Sequence, residues 1–173
     1  MLSVLRSGAL LGIDAVPITV GVDIAFGLPG FSLVGLPDSA VKEARERVFS
    51  ALKNAGFFVP SRRITINLAP ADLRKEGSAL DLPMALGILA ASEQMEASLL
   101  EGVMVLGELS LDGGLRPARG ILSMALMARN QGWSKVLLPG GNFREAALVP
   151  GIHLLAADTL PHAIEALKSG VGM

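Results

Sequence analysis

"RRITINLAPADLRKEGSALDLPMALGILAAS", residues 62–92, carries the chain from a strand through a loop into a helix. Ile64, Ile66 and Leu68 alternate with Thr65 and Asn67, the period-two pattern of a half-buried strand. Pro70 ends it, because proline has no N–H to give to a ladder. Asp81 stands where a helix cap is expected, Pro83 is tolerated in a first turn, and "MALGILAA" supplies an apolar helix. Between strand and helix, Ser78 follows Gly77 with Arg74 and Lys75 close by. That grouping reads either as a nucleophilic serine beside a lysine base or as a turn serine that shapes the loop.

The same two periodicities organise the flanking sequence. On the N-terminal side, "AVPITVGVDIAFG" alternates Ile18, Val20, Val22 and Ile24 against Thr19, Gly21 and Asp23, and Phe31–Val34 is a short apolar strand between Pro-Gly turns. Asp38 then offers a cap for one helix carrying Val41, Ala44, Val48, Leu52 and Ala55 at helical spacing, with Gly56 stopping it. On the C-terminal side, Val103–Leu109, the turn Asp112-Gly113-Gly114 and Leu115–Ala118 predict a hairpin. A helix to Gly132, the strand "KVLLPGG", a helical turn "NFREAAL", the strand "IHLLAA" and a last helix capped by Thr159 complete the chain. The final "KSGVGM" reads as a cut end or the start of a linker. Strands and helices mixed in this way indicate a two-layer α/β or α+β arrangement, a single domain over residues 1–170.

The 173 residues suffice to bury a core without staples, and that core must be aliphatic, since 51% of residues are hydrophobic but only 4% aromatic. With no cysteine, disulfides, thiolate metal sites and cysteine nucleophiles are excluded, and a cytoplasmic location fits. No apolar run approaches the length of a membrane span. A net charge of −1 gives no global pull towards nucleic acid. Residues 1–76 hold nine Lys/Arg and seven Asp/Glu, a charge of +2, against six and nine, a charge of −3, in residues 77–173.

Candidate sites are few. No GxxxxGK[S/T] occurs, so no P-loop nucleotide site and no cofactor are expected in this chain. His153 and His162 stand apart from each other and from any carboxylate cluster, which suits structural roles and no metal. Asp72, Glu76 and Asp81 crowd the quoted loop and read as loop solvation plus a helix cap, or as acid–base groups. Arg62, Arg63, Arg74 and Lys75 bracket one strand, and Arg116 and Arg119 lie near the hairpin. They form either a solvated rim or a weak, sequence-independent DNA contact, mostly to phosphate because so few aromatics are available for stacking.

"MLSVLRSGALLGIDAVPITVGVDIAFGLPGFSLVGLPDSAVKEARERVFSALKNAGF", "RITINLAPADLRKEGSALDLPMALGIL" and "VLGELSLDGGLRPARGIL" together resemble the N-terminal domain of the magnesium-chelatase-like competence ATPases, the ComM/YifB family. The resemblance implies a Lon protease-like, ribosomal protein S5 domain 2-like fold. It also implies that this chain is a fragment, with an AAA+ motor that would take ATP and Mg2+, and a C-terminal chelatase-like domain, lying outside it. Partners would then be that motor, neighbouring subunits and possibly DNA, in branch migration during natural transformation. A proteolytic Lon domain reads approximately Lys-Asp-Gly-Pro-Ser-Ala-Gly around its nucleophile. Aligning Lys75-Glu76-Gly77 with its start puts Ala79 in the nucleophile position, with Ser78 one place early, and puts Leu122 where Lon carries its lysine. Lys75 is expected to be solvated and protonated, a poor base for Ser78. The resemblance thus implies a non-enzymatic accessory domain. A residual serine hydrolase using Ser78 and a metal-chelatase accessory role are the alternatives.

Overall fold

A computed structural model describes residues 1–170; of the expected cut end or linker start, Lys168 and Ser169 belong instead to the last helix and Gly170 caps it, and the rest lies outside the described residues. The period-two segments form one seven-stranded sheet ordered β3-β4-β2-β1-β5-β8-β9. Its centre is a long hairpin, β1 (Leu2–Leu11) and β2 (Asp14–Ala25), with Leu5 opposite Val20. β4 (Arg63–Ala69) runs antiparallel to β2, and β3 (Gly30–Val34) lies parallel to β4 at the edge. On the other side β5 (Val103–Val105), β8 (Lys135–Pro139) and β9 (His153–Ala157) add in parallel. A separate two-stranded ribbon joins β6 (Glu108–Leu109) and β7 (Leu115–Arg116).

Helices cover both faces. α2 (Ala44–Asn54), α3 (Asp81–Ala91) and α6 (Leu160–Ser169) share one core with Leu5, Val22, Leu137 and Leu155. α4 (Ile121–Asn130) and α5 (Phe143–Ala146) pack on the opposite side with Met104, Val136, Leu138 and Ala156. The alternation along β5, β8 and β9 sends successive side chains into the two cores. The two-layer expectation therefore describes only the β3–β4 edge. The fold is mixed α/β with a mostly parallel sheet, and its C-terminal half is helix–sheet–helix.

α3 is buried at every position, because the sheet lies beneath it and α2 beside it. Gly87 permits that closeness: a Cβ there would sit 2.5 Å from Val22 Cγ2. The buried Ser3 hydroxyl donates to the Gly87 carbonyl at 2.7 Å, satisfying both groups.

Two expected elements divide. The single helix from Asp38 becomes α1 (Ser39–Lys42) and α2, although Asp38 caps it as expected, accepting from the Val41 N–H at 2.8 Å. The Arg47 guanidinium takes the Ala40 carbonyl at 2.7 Å, the acceptor that a continuous helix would offer to Ala44. The Val103–Leu109 arm divides at Gly107, whose φ of +157° turns the chain, so Val103–Val105 joins the sheet and only Glu108–Leu109 enters the ribbon. No helix among the described residues is long and apolar enough to cross a membrane.

Candidate functional site

The loop between β4 and α3 is fixed by backbone bonds at both ends. Lys75 N–H donates to the Leu36 carbonyl at 3.0 Å, and Asp38 N–H donates to the Lys75 carbonyl at 2.9 Å. Asp38 serves twice, since its second carboxylate oxygen accepts from Gly77 N–H at 3.2 Å while the first caps α1. Beyond Ser78, Gly107 N–H donates to the Ala79 carbonyl and Leu82 N–H to the Gly107 carbonyl, both at 2.9 Å. The loop is therefore held against β3, α1 and the β5–β6 turn.

Lys75 is not the solvated lysine expected from the sequence. Its relative exposure is 0%, although the layer covering it is thin. Its ammonium donates to the Pro70 carbonyl, folding the side chain back along its own loop. Burial lowers its pKa from the usual lysine range, with the Asp72 carboxylate pulling the other way.

Asp81 does not cap α3; Leu80 occupies that position. The Asp81 carboxylate is buried and takes a fork from Arg47, Nε at 2.7 Å and Nη2 at 3.0 Å, plus the Leu109 N–H at 3.1 Å. It thus ties α2, α3 and β6 together. Burial pushes its pKa up, against the Arg47 guanidinium and the Leu109 N–H, which favour the ionised form. The pairing with Asp81 raises Arg47 in turn. Arg47 escapes a reading of composition, but it sits on the 44–47–48–51 stripe that the buried Ala44, Val48 and Ala51 define. A cation on an apolar stripe is the signal that a buried anion faces it.

Ser78 and Ala79 line a cleft of about 640 Å³ between the loop, the C-terminal part of β1 and the segment leading into α4. The titratable groups lining it are Asp38, Glu76, Glu108 and Arg119. Neither Lys75 nor Leu122 reaches it; Leu122 sits on the first turn of α4, 40% exposed. A serine beside carboxylates and an arginine, without lysine or histidine, has no neutral base of suitable strength. The lining thus lacks the lysine that a Lon-type serine uses as its base.

The sequence pattern of "Subunit ChlI of Mg-chelatase" matches residues 20–142, well over half of the chain. The chain belongs to the magnesium-chelatase-like ComM/YifB family. It is 49% identical over 159 residues to the uncharacterized protein YifB of Escherichia coli, covering 92% of this chain and 31% of that protein. It is 45% identical over 167 residues to the competence protein ComM of Haemophilus influenzae, covering 96% and 33%. The chain thus spans about a third of the length of the relatives it matches. A more distant likeness, 28% identical over 129 residues, extends to Lon protease 2 of Bacillus subtilis, covering 73% of this chain and 23% of that protein.

Within this ComM/YifB chain the basic candidates do not form one patch. Arg62 and Arg63 lie at the start of β4 and Arg74 and Lys75 beyond its end, separated by about 20 Å of strand. Arg74 is exposed beside Glu76 at 3.8 Å, a surface pair of little energetic weight. Lys75 is covered. Arg116 is exposed on β7, and Arg119 belongs to the Ser78 cleft. Asp72 is exposed. The histidines stay apart: the His153 ring bonds the Gly170 carbonyl, and the His162 N–H donates to the Thr159 cap.

Proposed function

We propose that this chain is a non-proteolytic accessory domain of Lon-like, S5 domain 2-like fold, belonging to a cytoplasmic AAA+ ATPase. The whole protein processes DNA by branch migration, and this part contributes assembly and weak DNA contact. One observation carries the reading: the cleft keeps a serine but is lined by no lysine or histidine. In the reading by resemblance Ala79 takes the Lon-type nucleophile position and Leu122 the lysine position; Leu122 does not line the cleft, and the nearby lysine donates its ammonium to the Pro70 carbonyl. In this reading ATP and Mg2+ belong to a motor in the remainder of the protein. The name of one relative, a competence protein, and the description of the matching family pattern, a chelatase subunit, support a place in this ATPase group.

One feature favours a residual hydrolase instead: a covered lysine of lowered pKa three residues before Ser78. Labelling with a serine-directed fluorophosphonate separates the two. The accessory reading expects no modification at Ser78, and Ser78→Ala in the full-length ATPase leaves ATP-driven strand exchange unchanged. Stoichiometric labelling of Ser78 would overturn it. For a metal-insertion role, no group of three His, Cys, Asp or Glu side chains able to hold a metal occurs among the described residues.

A further inference from the structure

The few aromatic residues are not spread evenly. The two most exposed phenylalanines, Phe26 at 86% and Phe58 at 59%, share one end of the sheet. They and Arg62 line two adjoining clefts of about 530 and 370 Å³. The register that pairs Ala25 with Arg63 runs on to bring Phe26 beside Arg62, whose guanidinium lies 4.3 Å from the ring centroid. Phe58 is held in place: the Gln94 side-chain amide accepts from its N–H at 3.1 Å and donates to its carbonyl at 3.0 Å. Exposing two large apolar rings on a fixed framework is unfavourable unless something covers them.

We infer that Phe26 and Phe58, with Arg62, form a stacking site for single-stranded nucleic acid. This deepens the DNA-contact part of the proposed function and is independent of the assembly part. Unpaired bases present flat π-faces, which an exposed phenyl ring covers irrespective of sequence. A guanidinium already stacked on such a ring extends the platform and can also reach a phosphate. The charge favours a polyanion over an apolar protein surface: Arg62 lines both clefts, and Glu93 is the one carboxylate lining either. A duplex keeps its bases stacked inside and offers these rings no partner.

Fluorescence anisotropy of this chain with labelled oligothymidylate at low salt tests the site. Phe26→Ala and Phe58→Ala are each expected to weaken binding about tenfold, while a duplex binds more weakly than the single strand. Arg62→Glu is expected to weaken binding and flatten its salt dependence by about one released counterion. Arg144→Glu, exposed on α5 in the other helical layer, serves as control and changes little. The rings are exposed, so circular dichroism melts should show the variants folded. Absence of low-salt binding, full affinity in both phenylalanine variants, or equal affinity for duplex would each overturn the site. Loss of full-length assembly in the phenylalanine variants without any single-strand binding would identify the surface as a protein contact instead. The site fails in that case, whereas the accessory reading fails only if Ser78 proves reactive.

Discussion

Asp81 accepts three hydrogen bonds from two elements other than its own, so deleting its carboxylate removes more than a local contact. Asp81→Ala takes the buried counterion from the Arg47 guanidinium, 19% exposed, leaving it only the solvated Glu43 carboxylate at 3.8 Å, and leaves the Leu109 N–H unsatisfied. A loss of about 3 kcal/mol in urea-derived stability is expected, near the lower end for breaking a buried pair because Arg47 retains some water. Lys75 gives a pH signature. Its folded pKa is lowered, so between that value and its ordinary 10.5 the unfolded chain holds more protons than the folded one, and stability rises with pH across that window. The chain has no tyrosine or cysteine to titrate there, and its other lysines are exposed. Denaturation at several alkaline pH values should show the rise in the parent and a flatter profile in Lys75→Met. Neither burial was legible from the residues. An aspartate ahead of an apolar helix has the pattern of a cap, and a lysine in a charged loop has the pattern of a solvated one. What hides both is the neighbouring backbone, α2 over Asp81 and the β3–α1 connection against Lys75, which local spacing does not encode.

Among the elements, α3 depends most on a single missing side chain. Gly87→Ala adds a methyl that must displace Val22 Cγ2 and approach Leu5. On an exposed helix the same change would stabilise by up to about 1 kcal/mol. Here a net loss of about 1–3 kcal/mol is expected, read as a lowered melting temperature. β4 and α6 were legible because their signals are local: strict alternation up to Pro70, and a threonine whose hydroxyl accepts the His162 N–H. The Asp38 helix and the long hairpin arm were only half legible. Their divisions come from Arg47 reaching back to Ala40 and from Gly107 bonding Ala79 and Leu82, contacts made across the fold. The second helical layer was missed for a related reason. Continuous apolar runs such as Val136–Leu138 show that both faces of a strand are covered without saying by what.

For the whole molecule, the mixed sheet is closed by helices over its parallel half, and the sites considered lie at its ends. No P-loop is present, so calorimetry with ATP is expected to give no heat of binding, and micromolar affinity would reveal a nucleotide site of another kind. Light scattering should find the isolated chain monomeric at low micromolar concentration; a hexamer would place ring assembly within this third of the protein. The Asp81 clasp also bears on how the molecule opens. β6 is only two residues long, and a ribbon of that size frays readily on its own. Its Leu109 amide, however, is bonded to a carboxylate that a guanidinium from α2 locks from behind. That proton can meet solvent deuterium only when the clasp and the helices it joins come apart together. Leu109 should therefore exchange as slowly as the amides of the central hairpin, while the exposed turn at Asp112 exchanges fast, making one backbone proton a clock for global opening.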